Sequence, residues 1–78
     1  MYNNFELEKV KVSTSGIFYY AYTIVNRGGK IYLEPEYIGG KTYTIDTLES
    51  LNNMPPSIIQ KMKMYQREID INKILKDV

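Results

Sequence analysis

The run from Ile17 to Val25 is nearly all β-branched or aromatic, and Asn26-Arg27-Gly28-Gly29 follows it directly. Residues of this kind fit a pleated, half-buried surface. Two adjacent glycines are free to take the positive φ angles of a tight hairpin turn. The chain must therefore double back here, with Lys30 to Ile38 as the return strand. A two-residue loop at Gly28-Gly29 pairs Ile24 with Leu33 and Tyr22 with Pro35. A four-residue loop pairs Ile24 with Ile31 and Tyr22 with Leu33. Both registers put Phe18, Tyr20, Tyr22, Ile24, Ile31 and Leu33 on one side, and Tyr19, Thr23, Val25, Tyr32, Glu34 and Glu36 on the other. The first set is the more apolar, so it is expected to face the core.

The flanking segments extend this hairpin into a small sheet. Phe5 to Ser13 alternates roughly, with a slip of parity between Leu7 and Val10 that predicts a bulge or an edge position. Lys9 and Lys11 suit an edge strand, where lysine discourages pairing with other chains. Ser13-Thr14-Ser15-Gly16 and Gly39-Gly40-Lys41 read as turns, and Thr42 to Ile45 as a short further strand. A three-residue second loop adds Tyr37, Tyr43 and Ile45 to the apolar side. Pro35 cannot donate a ladder hydrogen bond, which places it at an edge or a bulge.

The second half has helical signals. Asp46-Thr47-Leu48-Glu49 offers an N-cap oxygen with Glu three residues on. Asn52-Asn53 and Pro55-Pro56 stop that helix, and Pro56 fits the first turn of the next. Ile58, Met62, Tyr65, Ile69 and Asn72, with Ile59 beside them, recur at helical spacing, whereas Lys61, Lys63, Gln66 and Arg67 fall mostly off that stripe. Near Asp70 the phase moves to Ile71, Ile74, Leu75 and Val78, predicting a kink or a last short helix capped by Asp70. The expected fold is α+β: a single domain over 1–78, with a three- to four-stranded antiparallel sheet over about residues 5–45 packed against C-terminal helices at about 47–53 and 56–76.

Composition narrows the function by exclusion. The 78 residues contain no cysteine and no histidine. This removes disulfides, nearly every zinc site and every Ser–His or Cys–His pair. Ten Lys and Arg against nine Asp and Glu leave a net charge of +1, unlike the large basic excess of a dedicated nucleic-acid binder. No stretch approaches the roughly 20 apolar residues of a membrane span, and Met1 to Lys11 lacks the apolar run of a signal peptide. A cytoplasmic location is expected (the host cytoplasm if the chain is viral), with no membrane partner. Eight Tyr and a single Ala match the codon bias of an AT-rich genome, such as that of a low-GC bacterium, its phage or an archaeal virus.

No phosphate loop, dinucleotide fingerprint, nucleophile elbow or metal motif is present. The expectation is accordingly no enzyme, no cofactor and no metal. Glu34 and Glu36 lie two apart on one strand and point the same way. They read as a solvated face balanced by lysines, or as a carboxylate pair for acid–base or cation chemistry. Tyr19, Tyr32, Arg27 and Lys30 form an aromatic and basic set, open to three readings: sheet-stabilising contacts, a protein hot spot, or a base-stacking platform. The two glutamates on the same face would repel phosphates. Tyr19, Tyr32, Glu34, Glu36, Arg27 and Lys30 are therefore the candidate partner-binding residues. Lys61, Lys63 and Arg67 make a secondary basic edge, whose ordinary reading is a solvated helix face.

The second half carries a resemblance. A strand ending in Ile45, a cap at Asp46, the segment Thr47-Leu48-Glu49-Ser50-Leu51, a break at Pro55 and a helix through Ile69 resemble the element order of small phage anti-CRISPR proteins that inhibit type I surveillance complexes. The likeness covers less than half the chain. It implies a non-catalytic inhibitor, encoded by a phage or other mobile element, that binds and occludes a host protein or ribonucleoprotein complex such as a CRISPR effector. It would act as a monomer or homodimer. A small nucleic-acid-binding regulator is the alternative. A ribonuclease-like toxin using Lys, Arg, Glu and Tyr is a third reading.

Overall fold

The computed structural model describes residues 4–13, 19–51 and 54–76, with backbone alone for 73–76. Four antiparallel strands in the order β1-β2-β3-β4 form one sheet: β1 (Phe5–Val12), β2 (Tyr20–Arg27), β3 (Lys30–Pro35) and β4 (Tyr43–Thr44). Two helices follow, α1 (Ile45–Glu49) and α2 (Pro56–Lys76). The α+β arrangement with C-terminal helices is the one the sequence predicts. The expected positions of Phe18, of the Thr14–Gly16 turn and of the Asn52-Asn53 stop lie outside the described residues, as do those of the Ile74, Leu75 and Val78 side chains.

The two-residue hairpin loop is the one adopted. Ile24 pairs with Leu33, Tyr22 with Pro35 and Arg27 with Lys30. Gly28 and Gly29 carry φ of 65° and 93°, as a tight turn matched to strand twist requires. Asparagines clamp the turn from both sides. The Gly29 amide donates to Asn26 Oδ1 at 2.8 Å, and the Gly28 amide donates to Asn4 Oδ1 at 3.1 Å. Asn26 is buried and occupies an inward position, yet its oxygen is satisfied by the turn it closes.

The register of β1 shifts between Glu6 and Glu8, so Leu7 is the bulge that the parity slip predicts. β1 is an edge strand, with Lys9 and Lys11 exposed on it. The return strand is shorter than the expected Lys30–Ile38 because it ends at Pro35. The Glu36 amide still donates to Ala21 O, so the nitrogen of Pro35 faces the other edge. β4 spans only the Tyr32 and Leu33 rungs there, and no ladder bond is lost.

The core lies between one sheet face and the helices. Val12, Tyr22, Ile24, Ile31, Leu33, Leu48, Ile58 and Met62 are buried together. Leu7, Val10, Tyr43, Ile45, Tyr65 and Ile69 are among the partly buried residues packed around them. Two helical expectations are corrected. The cap of α1 is Thr44 rather than Asp46: its Oγ1 accepts from the Thr47 amide at 3.2 Å. The helix starts directly from β4, so the last strand residue is the one with the extended backbone a cap requires. The helix also ends at Glu49 rather than near 53, where the Ser50 hydroxyl and amide both turn onto Thr47 O. α2 starts at Pro56 as expected and continues unbroken past Asp70. Asp70 accepts from the Gln66 side chain one turn back and caps nothing.

Candidate functional site

The sheet face turned away from the helices holds most of the candidate binding residues. Among the described residues no element packs over it. Its rungs are Lys11–Ala21, Lys9–Thr23–Glu34 and Glu6–Val25–Tyr32–Thr44, ending in Arg27–Lys30. A bare strand face would leave its centre wet, yet Thr23 and Val25 are buried, Val25 at 1% exposure. Long side chains of the face itself reach across these positions. Arg27 reaches diagonally over the Val25–Tyr32 rung to Glu34 in a two-point contact: Nε donates at 3.0 Å and Nη2 at 2.7 Å. Glu36 accepts from the Thr23 hydroxyl at 2.8 Å and pairs with Lys9 at 3.6 Å. The Lys30 ammonium lies 5.9 Å from the centre of the Tyr32 ring, within cation–π range.

These contacts decide what the carboxylates can do. The forked hydrogen bond from Arg27 holds the Glu34 carboxyl below its ordinary value, against the opposing effect of its partial burial. Glu34 and Glu36 are each drawn to a different cation, Glu34 to Arg27 and Glu36 to Lys9. Among the described residues no cluster of three or more carboxylates is placed to hold a metal ion. The arrangement is a mosaic of charges of both signs around Tyr32.

Tyr19 stands apart. It precedes β2 and is 68% exposed. It lies six positions before Val25 of the Val25–Tyr32 rung, which at strand rise is about 20 Å. The structure thus brings together Arg27, Lys30, Tyr32, Glu34 and Glu36, and leaves Tyr19 at the far end of the sheet. The basic helix edge is also divided. Lys61 Nζ lies 2.6 Å from Glu8 on β1, and Lys63 lies 3.2 Å from Glu49 on α1. All three are exposed, and Arg67 is the one that makes no ion pair among the described residues.

Two functional contacts were not apparent from sequence. Glu8 faces the helices and also accepts from Tyr65 OH at 2.9 Å. Hydrogen bonds from Lys61 and Tyr65 lower its pKa, and those same bonds tie α2 to the edge strand. The signal was present: beyond the bulge, Glu8 shares its parity with inward Val10 and Val12. Gln66 spans the free edge of β3, accepting from the Ile31 amide at 2.9 Å and donating to Gly29 O at 3.1 Å. It lies four residues after Met62, on the Ile58–Met62 row of the helix. A concavity of about 400 Å³ opens beside it, lined by Lys30, Ile45 and Asp46 among others. Among the described residues no helix is long and apolar enough to cross a membrane. Comparison with family models, curated proteins and solved structures returns no match for the chain.

Proposed function

We propose that this chain is a non-catalytic binding protein, encoded by a phage or other mobile element, that inhibits a host defence complex by covering it with the outer face of its sheet. The observation that supports this reading is the pre-ordered state of that face. Arg27–Glu34, Lys9–Glu36–Thr23 and Lys30–Tyr32 are already joined in the free protein, so little side-chain freedom is lost when a partner arrives. Tyr32 supplies contact area with a hydroxyl that can meet a partner's polar group. Glu6, Glu34 and Glu36 stand among Lys9, Lys11, Arg27 and Lys30, which favours a protein surface of mixed charge over a run of phosphates. The resemblance in element order to anti-CRISPR proteins supports a CRISPR surveillance complex as the target.

The test is binding to a purified type I surveillance complex, followed by addition of its target DNA. Retention at micromolar concentration with loss of DNA binding is the expected result. No retention would overturn the choice of target. Binding of this chain to DNA alone, falling steeply between about 50 and 200 mM salt, would favour the nucleic-acid regulator instead.

A further inference from the structure

We propose that the groove between the start of β1 and α2 is a binding site for a small uncharged aromatic molecule that carries one hydrogen-bond-accepting oxygen. Tyr65 of α2 reaches toward β1 there, whereas Gln66 turns the other way to β3. The groove is separate from the mosaic around Tyr32, and the inference does not depend on the function proposed above.

The groove holds about 190 Å³, and its lining is graded by depth. Asn26, at 2% exposure, is the innermost member. Leu7, Tyr65 and Ile69 are partly buried and form the walls, while Phe5, Glu68 and Asn72 are exposed at the mouth. The register slip of β1 shapes this space. Phe5 stands opposite Asn26, and the bulge residue Leu7 packs against the core. On the helix, Tyr65, Ile69 and Asn72 follow at four- and three-residue spacing and share one row. The Tyr65 hydroxyl donates to Glu8 at 2.9 Å, which leaves its ring as an apolar wall.

Asn26 supplies the polar chemistry. It stands on the inward row of β2, which Tyr22 and Ile24 fill with core side chains. Its Oδ1 accepts from Gly29 N–H, and the described residues supply no acceptor for its NH2. Among the described residues no buried side-chain nitrogen or oxygen is both sealed from solvent and without a partner. The NH2 therefore opens onto accessible space, and the groove is the space that Asn26 lines. The Gly29 amide needs the oxygen where it is, so the carboxamide cannot turn over to offer an acceptor instead. An N–H donor at the inner end of an apolar slot calls for a ligand oxygen.

Size and charge narrow the ligand further. A closed apolar cavity of roughly 150 Å³ admits benzene, so one ring with a short polar arm suits this slot. Phe5, 47% exposed, and the Tyr65 ring offer aromatic contacts to such a ring. Glu68 at the mouth disfavours a carboxylate or a phosphate. Glu8, behind the Tyr65 hydroxyl, is already paired with Lys61, so no free cation in the wall compensates for an anionic ligand.

Titration of the isotope-labelled chain with benzyl alcohol, read by magnetic resonance of its amides, tests the site. A single-ring ligand should bind with a Kd of about 1 mM. The Asn26 side-chain NH2 and the amides of Phe5, Leu7 and Ile69 should shift together. The amides of Tyr20, Tyr22 and Tyr37, whose rings form a cluster at the far end of the sheet, should stay in place. Toluene, the same ring without the oxygen, should bind about fivefold more weakly, and benzoate should not saturate the site. Asn26→Asp keeps the turn's acceptor and removes the NH2; it should also bind benzyl alcohol at least fivefold more weakly, with circular dichroism checking its fold. If that variant does not fold, the comparison of ligands decides, because it needs no substitution. Absence of shifts at the groove up to about 20 mM would overturn the proposal. Toluene or benzoate binding as tightly as benzyl alcohol would overturn it equally. None of these results bears on the surveillance-complex experiment, because no target is present.

Discussion

Gln66→Ala separates a structural side chain from a solvated one. In the folded protein the Gln66 carboxamide acts as a short piece of strand: it accepts from Ile31 N–H and donates to Gly29 O on an edge that β4 does not reach. Ile31 is buried and Gly29 is buried beside it. Truncation leaves one donor and one acceptor without a protein partner. Two hydrogen bonds at about 1 kcal/mol each give roughly 2 kcal/mol. Water entering from the adjacent concavity recovers part of the acceptor's share, which sets the expected loss at about 1.5 kcal/mol. Urea unfolding should show the midpoint falling with m unchanged. Hydrogen exchange should show faster exchange at the Ile31 amide than at Leu33. Gln66→Glu keeps the acceptor and loses the donor, so it should restore Ile31 protection without restoring full stability. A loss under about 0.5 kcal/mol, the usual range for an exposed substitution, with Ile31 exchange unaltered, would refute the reasoning.

Four further outcomes are expected. Glu8 has a folded pKa below its unfolded value of about 4.3. Its contribution is therefore present above that value and lost as pH falls through the folded pKa, so Glu8→Gln should flatten the acid limb of the stability–pH curve below about pH 5. Tyr65→Phe removes one of the two bonds to Glu8 and should flatten that limb less, as read by urea midpoints at each pH. Gly40→Ala places a Cβ against Pro35 and Tyr37; it should destabilise the fold by about 1–3 kcal/mol, as overpacking does, and change the near-ultraviolet signal of the tyrosine cluster. Gly28→Ala puts an L side chain at a φ of 65° and should cost about 1 kcal/mol in the same unfolding assay, with little change in that signal.

The sheet was readable because its facing depends on parity alone. Either hairpin register puts Tyr22, Ile24, Ile31 and Leu33 on one side, so the core face did not depend on the choice between them. Boundaries were less readable. Helix α1 begins with no loop after β4, which moves the cap from Asp46 back to Thr44, and nothing in the Asp46–Glu49 spacing reveals so short a strand. The site was half readable. Strand alternation brings Tyr32, Glu34 and Arg27 together, but which cation each glutamate takes depends on the diagonal reach of Arg27 and on the position of Lys9 across two strands. Tyr19 was grouped with Tyr32 because both lie on one parity, and parity gives no information on distance along a strand. Lys61 and Lys63 look like solvated charges in sequence because their partners, Glu8 and Glu49, come from other elements.

The central claim is that the mosaic around Tyr32, rather than the basic helix edge, carries partner binding. The direct measurement is a titration of wild type, Tyr32→Ala and Arg67→Ala against the purified surveillance complex. Arg67 is the proper control, since Lys61 and Lys63 are engaged in holding the fold. Tyr32→Ala should weaken binding by about 1–3 kcal/mol, as hot-spot truncations do, and Arg67→Ala by less than about 0.5 kcal/mol, with both variants folded by circular dichroism. A larger loss from Arg67→Ala than from Tyr32→Ala would contradict the claim.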